Sequence, residues 1–246
     1  MSHSETGASG RWVALDVGET LIDETRVWSI WADELGIPRL TFMSAFGAAI
    51  ERGLQHRDVF DILGVADWHE RLPAIQARYG GFQTIDLYPD VLPALARLRA
   101  GGYRVAVVAN QPAERTAELR ALGVHADVIA MSEEMGVSKP DPAFFARTLA
   151  LMGDPDPGAV AYVGDRPDND VAPAAGAGMR AVWLRRGPWG VIPSGMPAEA
   201  VLVVDSLDEL VDRIAEAWSG PSATGPSASG SKSEARPAPA ATARHD

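Results

Sequence analysis

The chain has 246 residues, 46% hydrophobic and 22% charged, with no cysteine and a formal net charge of −11. That composition supports a packed globular core and excludes disulfide frameworks, thiolate nucleophiles and zinc–cysteine sites. The cationic residues are scattered, which excludes a polyanion-binding face and a nucleic-acid partner, and the apolar runs have strand length, far short of the roughly twenty residues of a membrane span.

In chain order, Met1 to Gly10 is small and polar and reads as a disordered N-terminus without the basic start and apolar run of a signal peptide. Together with the missing cysteines this fits a reducing cytoplasm. Trp12–Leu15 is the first of four short apolar runs closed by punctuating residues; the others are Val105–Ala109, Ala159–Val163 and Ala181–Leu184. Each is expected to be a buried parallel strand. Between the first two runs lie only helical patterns. Trp28, Ile30, Trp31 and Leu35 share a face that stops at Gly36; Thr41 is expected to cap a helix to Arg52, and Asp67 another to Tyr79. Leu92, Leu95 and Leu98 before Gly101, the stretch Glu114–Leu122 before Gly123, and Phe144, Phe145, Leu149 and Leu151 after Pro142 mark further helices. From Ser219 to Asp246 the chain is too rich in Ser, Gly, Pro and Ala to bury a core and is expected to be a disordered tail.

The expected fold class is α/β. Residues 11–23 and 88–218 form a Rossmann-like parallel sheet with helices on both faces, and residues 24–87 a small all-helical insertion. Ligands bind beyond the carboxyl ends of the strands in such sheets, so an insertion directly after the first strand overhangs the site.

Four motifs stand at or beside strand ends. Asp16 opens Asp16-Val17-Gly18-Glu19-Thr20, where a carboxylate on rigid backbone can act as a nucleophile and hold a cation, or simply cap a turn. Asn110 ends the second apolar run. Lys139, in Gly136-Val137-Ser138-Lys139-Pro140, is the only lysine besides Lys232; it is either a compact point charge wanted at a site or a solvated loop residue. Asp165, Asp168 and Asp170 cluster after the third run, as hard cations prefer and as an Asp- and Pro-rich turn would also have it.

In this order and spacing the four motifs resemble the signature of the haloacid dehalogenase superfamily, over roughly Trp12 to Trp218. The resemblance implies a magnesium-dependent hydrolase, expected to be a phosphatase of a small phosphorylated metabolite. It implies that Asp16 forms an aspartyl intermediate and ligates Mg2+, that the Gly18 carbonyl ligates the same ion, and that Asp165 and Asp170 complete the metal site. Lys139 would neutralise Asp16 and the phosphoryl oxygens, which Asn110 would help orient, and the insertion would be the helical cap that selects substrates. Neither the substrate's identity nor the oligomeric state is written in these motifs.

The chain also departs from the family pattern. Its phosphatases carry a second aspartate two residues after the nucleophile, which protonates the leaving group; here that position is Gly18. Acid–base catalysis is worth about 10²–10⁴-fold, so another group must stand in or the leaving group must be a good one, such as an acyl phosphate. Glu19 is expected to aim elsewhere, and His56 and His69 are the candidate acids in the cap. Ala109 also replaces the usual Ser or Thr ending the second strand. The phosphonate-cleaving branch needs a cap lysine, which is missing, and the dehalogenase branch has no use for the acids around Asp165. A non-catalytic binding protein that keeps the metal site stays open as the alternative. Trp28 and Trp31 are expected in a helix core, with pocket lining as their second reading.

Overall fold

Six short strands form one parallel sheet in the order β3-β2-β1-β4-β5-β6. They are β1 (Trp12–Leu15), β2 (Arg104–Ala109), β3 (Val128–Met131), β4 (Val160–Gly164), β5 (Arg180–Leu184) and β6 (Leu202–Val204). The computed structural model describes residues 10–193 and 195–220. The two stretches read above as disordered therefore fall, apart from Gly10, Ser219 and Gly220, outside the described residues. Every residue of β1 is buried, as a strand flanked on both sides and covered on both faces requires. Leu15 is in register with Val107 and with Val163, so β1, β2 and β4 run out together at one edge of the sheet. The chain reverses its direction of growth between β1 and β4, which puts the crevice of an open α/β sheet at that edge.

β3 and β6 are absent from the four expected runs. Both are three or four residues long and both are edge strands, with a neighbour on one side only. Their strand form comes from pairing with the finished sheet more than from a pattern of their own.

After β1 come α1 (Thr25–Glu34), α2 (Arg39–Glu51), α3 (Asp58–Ile62) and α4 (Leu72–Tyr79). They pack around their own apolar cluster, which includes Trp31, Phe42, Phe46, Phe60 and Ile75. Phe60 sits between Trp31, at 4.7 Å, and the stacked ring of Trp68, at 4.8 Å. Full burial of such a side chain stabilises by about 1.5–3 kcal/mol, enough for these short helices to hold one another. Two expectations are corrected here, and one element is added. α2 starts at Arg39, after Pro38, so Thr41 lies inside the helix instead of capping it. Asp67 makes no side-chain cap; a 3₁₀ turn, Trp68–Arg71, follows it, and α4 begins at Leu72, which places Pro73 in the first turn, where its missing N–H costs nothing. α3 was not anticipated, being too short to show a periodicity.

The chain crosses between sheet and helical insertion at Ile22 and Leu87, which form an antiparallel bridge. Arg26 clamps the crossing, its Nε and Nη2 donating to Asp86 Oδ1 and Oδ2 at 2.6 and 2.5 Å. The remaining helices are α5 (Val91–Ala100), α6 (Arg115–Ala121), α7 (Ser132–Met135), α8 (Pro142–Leu151), α9 (Ala172–Gly176), α10 (Gly187–Val191) and α11 (Leu207–Arg213); α10 sends Trp189 into the insertion's apolar cluster, and the others pack on the sheet side. α5, α6 and α11 bury Leu95, Leu98, Leu119 and Leu210 on one face. α8 and α9 bury Phe144, Phe145 and Ala174 on the other. Among the described residues no helix is long and apolar enough to cross a membrane.

Candidate active site at the carboxyl edge of the sheet

Asp16 is the first residue beyond β1, and its main-chain N–H is still held by the Val163 carbonyl at 2.9 Å, so its carboxylate stands on fixed backbone. Asp165 leaves β4 at the same edge. Asp170 returns to the same point on a π-helical turn, Pro167–Val171. It comes in so close that a Cβ on Gly164 would overlap its carboxylate, which is why the residue before Asp165 has no side chain. Lys139 Nζ lies between two of the acids, donating to Asp16 Oδ1 at 2.6 Å and to Asp170 Oδ1 at 2.6 Å. Asp16, Lys139, Asp165 and Asp170 are 7%, 4%, 2% and 0% exposed, so four ionisable groups share one buried site.

Their titration follows from that packing. Burial alone would lower the Lys139 ammonium, but Asp16 and Asp170 outweigh it and hold it well above the usual lysine range. Burial pushes Asp170 up to about 6, even against the pull of Lys139. Asp165 is raised well above the carboxylate range by burial and then by Asp170, Asp16 and Glu19. Three acids against one lysine leave negative charge uncompensated, and the Asp165 carboxylate accepts no hydrogen bond among the described residues. Ligand oxygens of Asp16, Asp165 and Asp170 lie within 4.8 Å of one another. This all-oxygen donor set suits a hard divalent cation such as magnesium.

Asn110 follows β2 and is tied to Lys139 on both sides of its amide. Its Nδ2 donates to the Lys139 carbonyl at 2.9 Å, and its Oδ1 accepts from the Lys139 N–H at 2.8 Å. It therefore fixes the backbone of the lysine, and one amide hydrogen remains for a ligand. Ala109 offers no donor beside it. Glu19 adopts a left-handed conformation, φ 51°. Its carboxylate accepts from Tyr88 Oη at 2.7 Å and from the Glu24 N–H at 2.9 Å, so both oxygens are engaged on the loop.

A cavity of about 490 Å³ opens between this edge and the helical insertion. Asp16, Lys139 and Asp165 form one wall and Trp28, Trp31 and His56 the other. Both tryptophans also belong to the insertion's apolar cluster, so the two readings offered for them hold together. His56 packs on Trp28, its ring 5.8 Å away, and burial, with Arg166 and Arg57, pushes its imidazole down to about 4. It is uncharged near neutrality and a poor proton donor. His69 is exposed, rests against Trp68 and does not reach the cavity.

Sequence reasoning missed the cavity residues Glu24, Arg115 and Arg166. Arg166 spans the gap, donating from Nη2 to Gln55 Oε1 of the insertion at 3.0 Å and to Asp168 at 2.8 Å. Glu24 precedes α1, where an acid reads as an ordinary helix-start charge. Its Oε2 accepts from Trp28 Nε1 at 3.3 Å, and burial, then Glu19, pushes its carboxyl up to about 7.

The haloacid dehalogenase-like hydrolase family model matches residues 11–178. The chain is 39% identical over 111 residues to a glyceraldehyde 3-phosphate phosphatase of Methanopyrus kandleri, covering 44% of this chain and 47% of that one. It is 38% identical over 127 residues to a phosphoserine phosphatase of Thermus thermophilus, covering 50% and 49%. It thus spans about half the length of these curated relatives. Among solved structures an L-2-haloacid dehalogenase superposes with a TM-score of 0.64 at 15% identity, covering 84% of this chain and 99% of that one, a likeness of fold alone.

Proposed function

Because the chain belongs to the haloacid dehalogenase-like hydrolase family, we propose that it is a magnesium-dependent phosphatase of small phosphorylated metabolites, working through an aspartyl phosphate on Asp16. The observation that carries this reading is the buried cluster of Asp16, Lys139, Asp165 and Asp170. A halide-displacing enzyme needs the nucleophile and has no use for three convergent buried carboxylates, whereas phosphoryl transfer needs its equatorial oxygens neutralised. The relatives named as phosphatases support the same choice.

Asp16 attacks the phosphorus in line with the ester oxygen; its carboxylate forms the new O–P bond as the ester P–O bond breaks. Water then attacks the aspartyl phosphate, freeing inorganic phosphate and restoring the Asp16 carboxylate. Lys139, held by Asn110, places a fixed ammonium beside Asp16 and the incoming oxygens. Asp16, Asp165, Asp170 and the Gly18 carbonyl would hold Mg2+, which when bound supplies positive charge for the transferring phosphoryl group. The insertion acts as a cap: its tryptophans and His56 face the reacting edge and exclude water.

The test is phosphate release from a panel of phosphomonoesters and acyl phosphates, with Asp16→Asn and a chelator as controls. Release that needs both Asp16 and Mg2+ is expected. Silence across the panel, or chelator-insensitive halide release from a short haloacid, overturns the reading.

A further inference from the structure

The turn after the nucleophile has a hole in it, and a side chain from six residues downstream fills the hole. At Gly18, where the pattern calls for a carboxylate, an added Cβ would lie 2.7 Å from Glu24 Oε1 and 3.2 Å from its carboxyl carbon. The space that an aspartate at position 18 would enter is thus already taken by a carboxyl group. We propose that Glu24 is the acid–base residue of this site, supplying from the start of the insertion the carboxyl group missing at position 18. The inference rests on the phosphatase reading given above.

Three observations support it. Glu24 and Asp16 line the same cavity, Glu24 facing the nucleophile's turn from the insertion side. The carboxylate is oriented: Trp28 Nε1 holds Oε2, leaving Oε1 toward Gly18. Its backbone is fixed as well, through the Glu24 N–H donated to Glu19 Oε1 at 2.9 Å. The rival acids are poorly placed, Glu19 being engaged by Tyr88 and by that N–H, and His69 lying outside the cavity.

The chemistry balances in two steps. As Asp16 forms its bond to phosphorus, the Glu24 carboxyl gives its proton to the departing ester oxygen, which leaves as an alcohol. The Glu24 carboxylate then takes a proton from the water that attacks the aspartyl phosphate; phosphate leaves, Asp16 is regenerated and Glu24 is again protonated.

The experiment follows phosphorylation of Asp16 and its decay separately by rapid quench in the full chain with Mg2+, for wild type and Glu24→Gln. The substrates are an alkyl phosphate such as glycerol phosphate, whose leaving group needs a proton, and acetyl phosphate, whose leaving group does not. Glu24→Gln is expected to slow transfer from the alkyl ester by about 100-fold or more and transfer from acetyl phosphate by less than about tenfold. The aspartyl phosphate made from acetyl phosphate should then accumulate, because its hydrolysis lacks a base. Trp28→Phe, which keeps the carboxylate but frees it, should show the same leaving-group dependence at smaller amplitude. Equal losses on both substrates, no loss on either, or a weakened Mg2+ affinity in Glu24→Gln that accounts for the change overturns the inference and leaves the phosphatase standing. A wild-type chain that transfers phosphate from neither substrate overturns both.

Discussion

Replacing Lys139 with methionine tests whether the cluster at the sheet edge is an electrostatic unit. The lysine is 4% exposed and donates at 2.6 Å to both Asp16 and Asp170, themselves 7% and 0% exposed. Methionine keeps the volume and removes the charge, which strands two buried carboxylates next to a third, Asp165. Removing one partner of a buried ion pair costs about 3–5 kcal/mol, and because both pairs share one cation their losses do not add. A loss of about 3–5 kcal/mol is thus expected in metal-free protein at pH 8, a large part of a typical domain's 5–15 kcal/mol. At pH 5 the loss should be smaller. Burial already raises Asp170 to about 6 and Asp165 well above the carboxylate range, so these acids bind protons more tightly folded than unfolded, and the folded state loses stability as pH rises. Urea unfolding in chelator at the two pH values measures this, and saturating Mg2+ should restore about 3 kcal/mol at a hundred times its dissociation constant. A variant within about 1 kcal/mol of wild type at pH 8, or one penalised more at pH 5, refutes the reasoning.

Gly18→Asp alone is expected to lower stability by about 1–3 kcal/mol and not to raise turnover, because the new side chain meets Glu24 Oε1; a thermal melt and steady-state kinetics would show it, and faster turnover would contradict it. The backbone at Gly18 is not left-handed, so the obstacle is Glu24 and not φ. His56 should make the protein less stable as pH falls from 6.5 toward 4. Burial, Arg166 and Arg57 hold its folded-state value near 4, with Asp58 opposing, while the unfolded chain takes the proton near 6.5. The imidazole is partly open to the cavity, so the effect is about 1–2 kcal/mol after solvent screening. His56→Gln should flatten the stability profile over that range, and an unchanged slope would refute the assignment.

Asp16, Lys139, Asp165 and Asp170 could be picked out together because each sits at a place the sheet defines: directly after β1, after β4, or on a loop bounded by Gly136 and Pro140. A strand of four or five apolar residues followed by a carboxylate announces both its element and the carboxylate's place at the sheet edge. That Asn110 stands at the end of the second strand was legible, but its bonds to the main chain of Lys139 were not, since nothing in either motif pairs residues 110 and 139. β3, β6 and α3 were missed because short elements draw their form from neighbours already in place. Thr41 and Asp67 look like helix caps, yet Pro38 and Pro73 mark the helix starts, since a proline fits only a first turn. Glu24 was invisible for a different reason: the signal is the absence of a side chain at position 18, and only three dimensions show what fills the space.

That displacement changes what the insertion contributes. In a site whose acid sits two residues after the nucleophile, the whole acid–base apparatus belongs to the sheet, and a cap can be exchanged without touching it. Here the carboxyl group stands on the residue immediately before α1, just beyond the bridge between Ile22 and Leu87. Its backbone is tied to Glu19 on the sheet side and its carboxylate to Trp28 on the insertion side. Arg26, two residues on, is clamped to Asp86 at the return crossing. The chemistry and the wall that shapes the substrate therefore share one helix: substitutions on the buried face of α1 that reshape the cavity around Trp28 also shift the acid, and substrate choice and leaving-group dependence should change together.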